Sequence, residues 1–434
     1  MIIEIKKMGI NGEGIGYDKK IPVFIEGALI GETVDAKIVS NNSNYKVAKI
    51  NKVLKTSDMR IKPPCKNYNK CGGCSLMHTT YDNQIEIKKN LIKEAFLKYA
   101  NLDIDVDVEG SDKQLGYRNC LKLPFIYHQG KLMLGVYENN SNYITPIDDC
   151  LIHTELLEVL KNKVLSILNK YNCSVYDNKT KSGLRYLVLR EIGKRAHMCL
   201  ITGEDEIDNR IIDDLNQIKE IVSIYQCINT SKNSVDIFSN KMIHLSGGKH
   251  LAFKIDNYKF NLSIKSFFQL NTNQAKKLYR YVVDLIDDNQ NIIVEAYSGI
   301  GAMSILANRK AKQIVGVEYI KDAVVNANIN AHINKLDNVK FLCGDAAKVI
   351  QKEFNKQTID TLIVNPPRSG LDDNMIDYLM HNRVNKIIYI SCNPATLSKN
   401  MDILLEKYSI ESLKAFDMFP NTAHVESVLK LIKK

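Results

Sequence analysis

Two short stretches near the end of the chain carry side chains that could do covalent chemistry. "YISCNPATLS" (389–398) places Cys392 where an apolar strand gives way to a loop, and "NTAHVESV" (421–428) supplies Glu426. A thiolate can add to an electrophilic carbon and a carboxylate can remove a proton, although an isolated cysteine is more often a small packed side chain. The surrounding elements have to decide between these two interpretations.

A second group of cysteines has the spacing of a metal site. In "CKNYNKCGGC", five residues separate Cys65 from Cys71 and two separate Cys71 from Cys74. In a chain without an export signal, such tight spacing favours metal ligands over disulfides. Spacing alone leaves zinc and an iron-sulfur cluster equally open. Scattered cysteines elsewhere have packing as their default role.

From about residue 280, apolar runs alternate with helical segments, which predicts a doubly wound, mostly parallel sheet. "EAYSGIGAMSILA" follows the first run, so its loop, with Gly299, lies at the carboxyl edge of the sheet, where ligands of such folds bind. Glu318 ends the second run and Asp345 follows the third, where their carboxylates could accept from ribose hydroxyls and an adenine amino group. The series predicts an adenosine pocket.

This series resembles the class I methyltransferases, which bind S-adenosylmethionine in this way. NAD binding is the competing interpretation, disfavoured because the third glycine of the dinucleotide fingerprint is missing. The fourth run ends in "NPPRSG", beginning at Asn365. Amino methyltransferases that modify adenine carry a similar Asn-Pro-Pro followed by an aromatic residue. Arg368 in that place argues against amino methylation.

Composition sets outer limits on the class of protein. The chain has 434 residues, 45% of them hydrophobic, and this length predicts two or three domains. Because its start lacks a signal peptide and its apolar runs are too short to cross a bilayer, we expect a cytoplasmic protein without a membrane partner. A net charge of +10 favours polyanionic partners without proving one.

The order of patterns along the chain predicts an α/β protein of three domains. Residues 1–57 read as a small β-barrel, 58–260 as a central α+β domain with the cysteine motif, and 261–434 as the Rossmann-like methyltransferase domain. An amphipathic pattern predicts a helix over about 84–100.

The motifs "SCNP", "PPRSG" and "HVES", in this order, resemble the uracil-5 RNA methyltransferases of ribosomal and transfer RNA. C5 of uracil is a poor nucleophile until a thiolate adds to C6, after which a base must remove the C5 proton. The resemblance implies that Cys392 is the nucleophile and Glu426 the base. It also implies cofactor contacts from a set of five residues. These are Gln269 (in "SFFQLN"), Tyr297, Glu318, Asp345 and Asn365.

The resemblance extends over nearly the whole chain. Residues 1–57 resemble the RNA-binding TRAM domain, and the family fold implies that the helix near 84–100 packs on the catalytic domain. The ribosomal branch carries a 4Fe-4S cluster on such a cysteine motif, which implies Cys150, in "IDDCLIH", as the fourth ligand beside Cys65, Cys71 and Cys74.

We therefore expect a monomeric enzyme that makes 5-methyluridine in RNA, with 23S ribosomal RNA favoured over transfer RNA as the partner. Amino methylation of a base and a non-catalytic RNA-binding or assembly role are the alternatives. Retention of both Cys392 and Glu426 speaks against the last. Three departures from the family pattern concern the cofactor. Asn365 stands where most members have Asp, Ser298 stands where many have Cys, and Ala302 stands where a polar side chain is often found.

Overall fold

A computed structural model describes residues 1–139, 141–231 and 236–434. The chain divides into two compact units, one made of residues 1–69, 73–114 and 350–434 and the other of residues 70–72 and 115–349. No helix among the described residues is long and apolar enough to cross a membrane.

The first unit begins with a six-stranded β-barrel. Its strands have the order β1-β5-β6-β4-β3-β2. They are β1 (Ile2–Glu4), β2 (Lys7–Met8), β3 (Gly14–Asp18), β4 (Ile21–Ile25), β5 (Thr33–Asn41) and β6 (Lys46–Lys55). Alternating apolar residues, such as Val23 and Ile25 of β4, are fully buried in its core, as a half-solvated strand requires. Arg60 closes the barrel's end by binding the buried Glu32 carboxylate and the carbonyl of Gly27.

The segment after the barrel forms α1 (Tyr81–Ala100) and β7 (Asp107–Glu109). Ile87, Leu91, Ile92 and Phe96 make the buried apolar face of α1, in agreement with the 3.6-residue period of the sequence. Leu97, on the other face, is 58% exposed.

The second unit contains a seven-stranded sheet of order β10-β9-β8-β11-β12-β13-β14, covered on one face by two helices. Its elements are β8 (Cys120–His128), β9 (Lys131–Tyr137), β10 (Ile144–Pro146), α2 (Glu155–Lys170), β11 (Leu184–Ile192), β12 (Arg195–Thr202), α3 (Asn209–Asn216), β13 (Ile221–Ile228) and β14 (Lys241–Gly247). Leu157, Leu160 and Val164 of α2 pack in the same core as Leu187 and Leu189 of β11.

The same unit continues with a hairpin and with alternating strands and helices. These are β15 (Leu251–Ile255), β16 (Tyr258–Leu262), α4 (Thr272–Asp284), β17 (Gln290–Ala296), α5 (Ala302–Leu306), β18 (Ala311–Glu318), α6 (Lys321–Ile333) and β19 (Val339–Cys343). Helix α7 (Ala346–Phe354) begins in this unit and ends in the first. Strands β17, β18 and β19 are parallel neighbours, so their carboxyl ends meet at one edge.

The remainder of the first unit is β20 (Ile359–Val364), α8 (Asp373–His381), β21 (Val384–Ser391), α9 (Pro394–Leu404), β22 (Tyr408–Phe416) and β23 (Glu426–Lys433). Strands β20 and β21 are parallel, whereas β23 lies between β21 and β22 and is antiparallel to both. Helix α1 packs against α9. The reversed β23 therefore starts where β21 ends.

Candidate active site

Cys392 lies at the sharp turn between β21 and α9, and the SCNP motif explains the turn. Pro394 occupies the first turn of α9, and the Asn393 side chain caps the helix by accepting from Ala395 N at 3.1 Å. The carbonyl of Arg368 accepts from Asn393 Nδ2 at 3.0 Å. The loop containing Arg368 is thereby fixed beside the half-buried thiol of Cys392.

Glu426 is the first residue of β23, and the strand register brings it next to Cys392. Ser427 pairs with Ser391 across the β21–β23 ladder, so the residues adjoining that pair are Glu426 and Cys392. Glu426 is only 5% exposed. The predicted nucleophile and base are therefore brought together by the position of β23 between β21 and β22.

Burial and neighbouring charges shift the pKa of both groups. Burial raises the pKa of the Cys392 thiol, Glu426 raises it further, and Arg368 opposes the rise. Burial raises the pKa of Glu426 to about 7, against a smaller opposite effect of Arg368. A carboxylate with this pKa can hold or release a proton near neutral pH, as a general base requires.

Two residues that the sequence did not assign to the site, Arg368 and His424, complete it. Arg368 Nη2 lies 3.1 Å from His424 Nε2. Burial lowers the pKa of His424 to about 4, with Arg368 and Lys88 acting in the same direction, so the ring is neutral and can accept from the guanidinium. Arg368 is thus the cation that acts on both Cys392 and Glu426.

A cavity of about 80 Å³ opens at Cys392, and one of its walls comes from the barrel. Ile10 and Asn11, in the loop between β2 and β3, line it together with Leu91, Arg368 and residues 392–394 and 423–425. Gly12 allows the close approach, since its φ is +93° and a Cβ there would lie 2.8 Å from Cβ of Ser75.

The loop between β22 and β23, which carries His424, is anchored to residues far away in sequence. Lys88 and Asp417 form a fully buried ion pair, and Asn421 N donates to Gln84 Oε1 at 2.8 Å. Ala423 N donates to Ser75 Oγ at 3.1 Å. Helix α1 and the segment before it therefore hold one side of the cavity in place.

The predicted cofactor residues of the second unit gather at the carboxyl edge of β17, β18 and β19. Glu318 Oε2 accepts from Gly299 N at 3.0 Å, and Gly344 N, next to Asp345, donates to the carbonyl of Glu318 at 3.0 Å. Tyr297 adopts the left-handed φ of +63° that turns the chain into the glycine loop. Gly301 is required because a Cβ would lie 2.3 Å from the Phe341 ring.

Two of the predicted cofactor residues lie away from this loop. Gln269 is 5% exposed, and its carbonyl accepts from Asn119 Nδ2 at 2.9 Å. Asn365 follows β20 in the other unit and is half-buried.

The glycine loop suits a polar ligand. Ser298 Oγ is buried and has no hydrogen-bond partner within the described ranges. A buried hydroxyl of this kind calls for a partner. Together with the carboxylates of Glu318 and Asp345, it fits the polar groups of an adenosine cofactor.

The four cysteines of the predicted metal site are half-buried. In the part of the chain that the structure describes, no three His, Cys, Asp or Glu side chains are arranged to hold a metal ion. The structure therefore gives the predicted 4Fe-4S site no support. No step of the chemistry is assigned to it.

Comparisons with known proteins agree with these features. The family model for tRNA (Uracil-5-)-methyltransferase matches residues 80–434, and that for the TRAM domain matches residues 2–50. An uncharacterized RNA methyltransferase of Listeria innocua is 35% identical, and the match covers 100% of this chain and 97% of that protein. An uncharacterized RNA methyltransferase of Clostridium tetani is 33% identical, and the match covers 98% of this chain and 94% of that protein.

Among solved structures, the tRNA (uracil-54, C5)-methyltransferase of Pyrococcus abyssi, in complex with S-adenosyl-L-homocysteine, superposes with a TM-score of 0.80. It is 28% identical, and 100% of this chain and 99% of that one are covered. The protein is thus an S-adenosylmethionine-dependent RNA methyltransferase, with the α/β methyltransferase fold and a TRAM domain at its N-terminus, as the sequence predicts. It belongs to the tRNA (uracil-5-)-methyltransferase family.

Proposed function

We propose that the protein methylates C5 of a specific uridine in RNA through a temporary bond between Cys392 Sγ and C6 of the base. The observation that carries this proposal is the pairing of a thiol and a carboxylate at adjoining ends of β21 and β23, beside one cavity and one arginine. Binding RNA alone would need neither group, so the site supports catalysis over a non-catalytic role.

In the proposed reaction, the Cys392 thiolate donates an electron pair to C6, and the C5–C6 π electrons move to the C4 carbonyl oxygen. The enolate pair returns through C5 to form a bond to the methyl group that S-adenosylmethionine, when bound, would supply, and S-adenosyl-L-homocysteine is left behind. Glu426 then takes the C5 proton, the double bond re-forms, and the C6–S pair returns to Cys392. Arg368 favours the thiolate because its positive charge offsets part of the effect of burial.

Residues of the glycine loop and its neighbours would hold the cofactor. We assign cofactor contacts to Gln269, Tyr297, Gly299, Glu318 and Asp345, and a further one to Asn365. The support for all of these except Gln269 is their place at the carboxyl ends of parallel strands, with the buried hydroxyl of Ser298 beside them. Gln269 is assigned from the family resemblance alone.

The RNA that carries the target uridine is proposed to be 23S ribosomal RNA, on the strength of the motifs shared with the ribosomal branch. Transfer RNA is the second candidate, favoured by the likeness to the tRNA (uracil-54, C5)-methyltransferase of Pyrococcus abyssi. The uridine must be unpaired, because C6 can be reached only when the base leaves its stack.

Nucleoside mass spectrometry of separated ribosomal and transfer RNA tests this assignment. Cells lacking the protein should lose 5-methyluridine from one RNA class, and the wild-type gene should restore it while a Cys392→Ala gene should not. Loss of an N-methylated base instead would contradict the proposal and favour amino methylation.

We also keep the 4Fe-4S cluster on Cys65, Cys71, Cys74 and Cys150 as a proposal, supported by cysteine spacing and family resemblance alone. Protein purified without oxygen should contain iron and sulfide, and stoichiometric zinc in such protein would contradict it. The cytoplasmic location, the monomeric state and the domain boundaries 1–57, 58–260 and 261–434 likewise remain proposals.

A further inference from the structure

Arg190, in β11 of the central sheet, is a buried cation without an anionic partner in the part of the chain that the structure describes. Its side chain is 6% exposed, and its Nη1 atom is buried with no hydrogen-bond partner. Arg190 forms no ion pair with any carboxylate of the described residues. Arginine does not lose its proton in proteins, so this charge cannot be removed by titration.

The neighbours of Arg190 on the adjacent strands are a thiol and an imidazole. The strand register sets it opposite Cys120 of β8 and His197 of β12, on one face of the sheet. Burial lowers the pKa of His197 to about 4, and Arg190 contributes to that fall, so the ring is neutral.

Two further cations lie close by. Burial lowers the pKa of Lys122, Cys120 opposes this fall, and the positive charges of Arg190 and Arg118 add to it, while Asp236 opposes them more weakly than Cys120 does. Lys122 Nζ lies 5.5 Å from the centre of the Phe238 ring. Arg118 Nε donates to the carbonyl of Cys120 at 3.0 Å, which directs this side chain along the backbone of β8. Three cations thus share a region in which Asp236 is the one carboxylate of the described residues that acts on Lys122.

A buried, unpaired guanidinium is unfavourable, and proteins normally pair such a group with an anion. The planar fork of arginine matches the oxygens of a phosphate, and lysine adds a point charge. We propose that Arg190, with Lys122 and Arg118, binds a backbone phosphate of the RNA substrate. The inference rests on the proposed function, since it takes RNA to be the substrate.

The place of these residues favours a phosphate near the segment that we assign to cofactor binding. Asn119, next to Cys120, donates from its backbone N to the carbonyl of Leu270 and from Nδ2 to the carbonyl of Gln269. The first residues of β8 are therefore fixed to the segment that we assign to cofactor binding. A phosphate held there would fix the RNA backbone beside that segment.

The test replaces Arg190 with methionine, which keeps much of the side-chain length and removes the charge, and compares it with Arg195→Gln. Arg195 is an exposed arginine at the start of β12, so the control loses the same charge from the same sheet. RNA affinity is measured at several salt concentrations by fluorescence anisotropy, S-adenosylmethionine affinity by calorimetry, and the melting temperature without ligands.

Arg190→Met should weaken RNA binding about tenfold, as loss of a charge-assisted contact does. It should also reduce the slope of log K against log salt by about one. The melting temperature of the free protein should rise, because the variant no longer buries an unpaired charge. Arg195→Gln should change none of these by a comparable amount, and cofactor affinity should be unchanged in both variants.

Unchanged RNA affinity and salt slope in Arg190→Met would overturn the site. A fall in melting temperature with unchanged RNA binding would assign Arg190 a purely structural role, and a selective loss of cofactor affinity would show that the anion is the cofactor carboxylate. If the methionine variant does not fold, Arg190→Lys replaces it in the test. The lysine keeps the charge but not the planar fork of the guanidinium, so this variant should bind RNA with an affinity between that of the wild type and a tenfold loss. If the wild-type protein itself shows no salt-dependent RNA binding, the proposed function fails before this inference is tested.

Discussion

Replacing Glu426 with glutamine should separate the two halves of the proposed reaction. The side chain keeps its shape but can no longer accept the C5 proton. His424, with a pKa of about 4, is a poor substitute base near neutral pH. Because general bases contribute roughly 10²- to 10⁴-fold, we expect the final elimination to slow by about that factor, with a smaller loss in the earlier steps.

The pKa of Glu426 also predicts how the wild-type rate depends on pH. With a pKa of about 7, roughly one tenth of Glu426 is ionised at pH 6 and nine tenths at pH 8, so the elimination rate should rise about tenfold over this range. The glutamine variant should lose this part of the pH dependence. Ionisation of Cys392, measured separately as the rate of adduct formation, should still increase with pH in both proteins.

The same substitution has a calculable effect on stability. Burial raises the pKa of Glu426 from 4.5 to about 7. The contribution of this group to the stability of the folded protein is therefore complete below pH 4.5 and is lost as the pH rises through 7. The loss amounts to about 3 kcal/mol. Glu426→Gln should therefore be more stable than the wild type at pH 8 by up to about this amount.

The assay uses labelled RNA and denaturing gels, in which a methylated RNA bound to Cys392 appears as a shifted protein band. The band should require S-adenosylmethionine and disappear when Cys392→Ala is added. If Glu426→Gln turns over at the wild-type rate and releases free methylated RNA with no adduct, another group takes the proton.

Three further changes test other parts of the site. Arg368→Gln should raise the pKa of both Cys392 and Glu426, and so move the pH–rate profile to higher pH; an unmoved profile would contradict its electrostatic role. Ile10→Ala, in the cavity wall supplied by the barrel, should lower kcat/KM for RNA by roughly fivefold through lost apolar contact, whereas Val39→Ala, an exposed barrel residue outside the cavity lining, should leave it unchanged. Lys88→Met should destabilise the protein by about 3–5 kcal/mol in urea unfolding because it leaves the buried Asp417 unpaired, while Lys89→Met, which breaks a surface pair with Glu86, should cost under about 1 kcal/mol.

Much of the site follows from local sequence patterns. Apolar runs predict the strands β17 to β21. The glycine loop and the SCNP motif then predict turns at the ends of β17 and β21, where site residues lie. These features can be predicted from the sequence because strand ends and helix caps depend on residues that are neighbours in the chain.

The parts that the sequence could not predict depend on contacts between residues far apart in the chain. Gln84 and Asn421 are 337 positions apart, yet they fix the loop that carries His424. Ile10 lines the cavity from a loop in which Gly12 packs against Ser75, more than 60 positions away in the chain. The neutral His424 in "HVES", two residues before Glu426, was visible as a motif residue, but its role depends on the position of Arg368.

The central claim is a covalent bond between Cys392 and C6 of uracil, and one measurement tests it most directly. RNA carrying 5-fluorouridine at the target position cannot lose a proton from C5, so the reaction should stop after methyl transfer with the RNA still attached. Mass spectrometry of the digested complex should find the methylated nucleotide on the peptide that contains Cys392, and Cys392→Ala should give no complex while still binding S-adenosylmethionine. A nucleotide attached to a different residue, or normal methylation of uridine by Cys392→Ala, would contradict the mechanism.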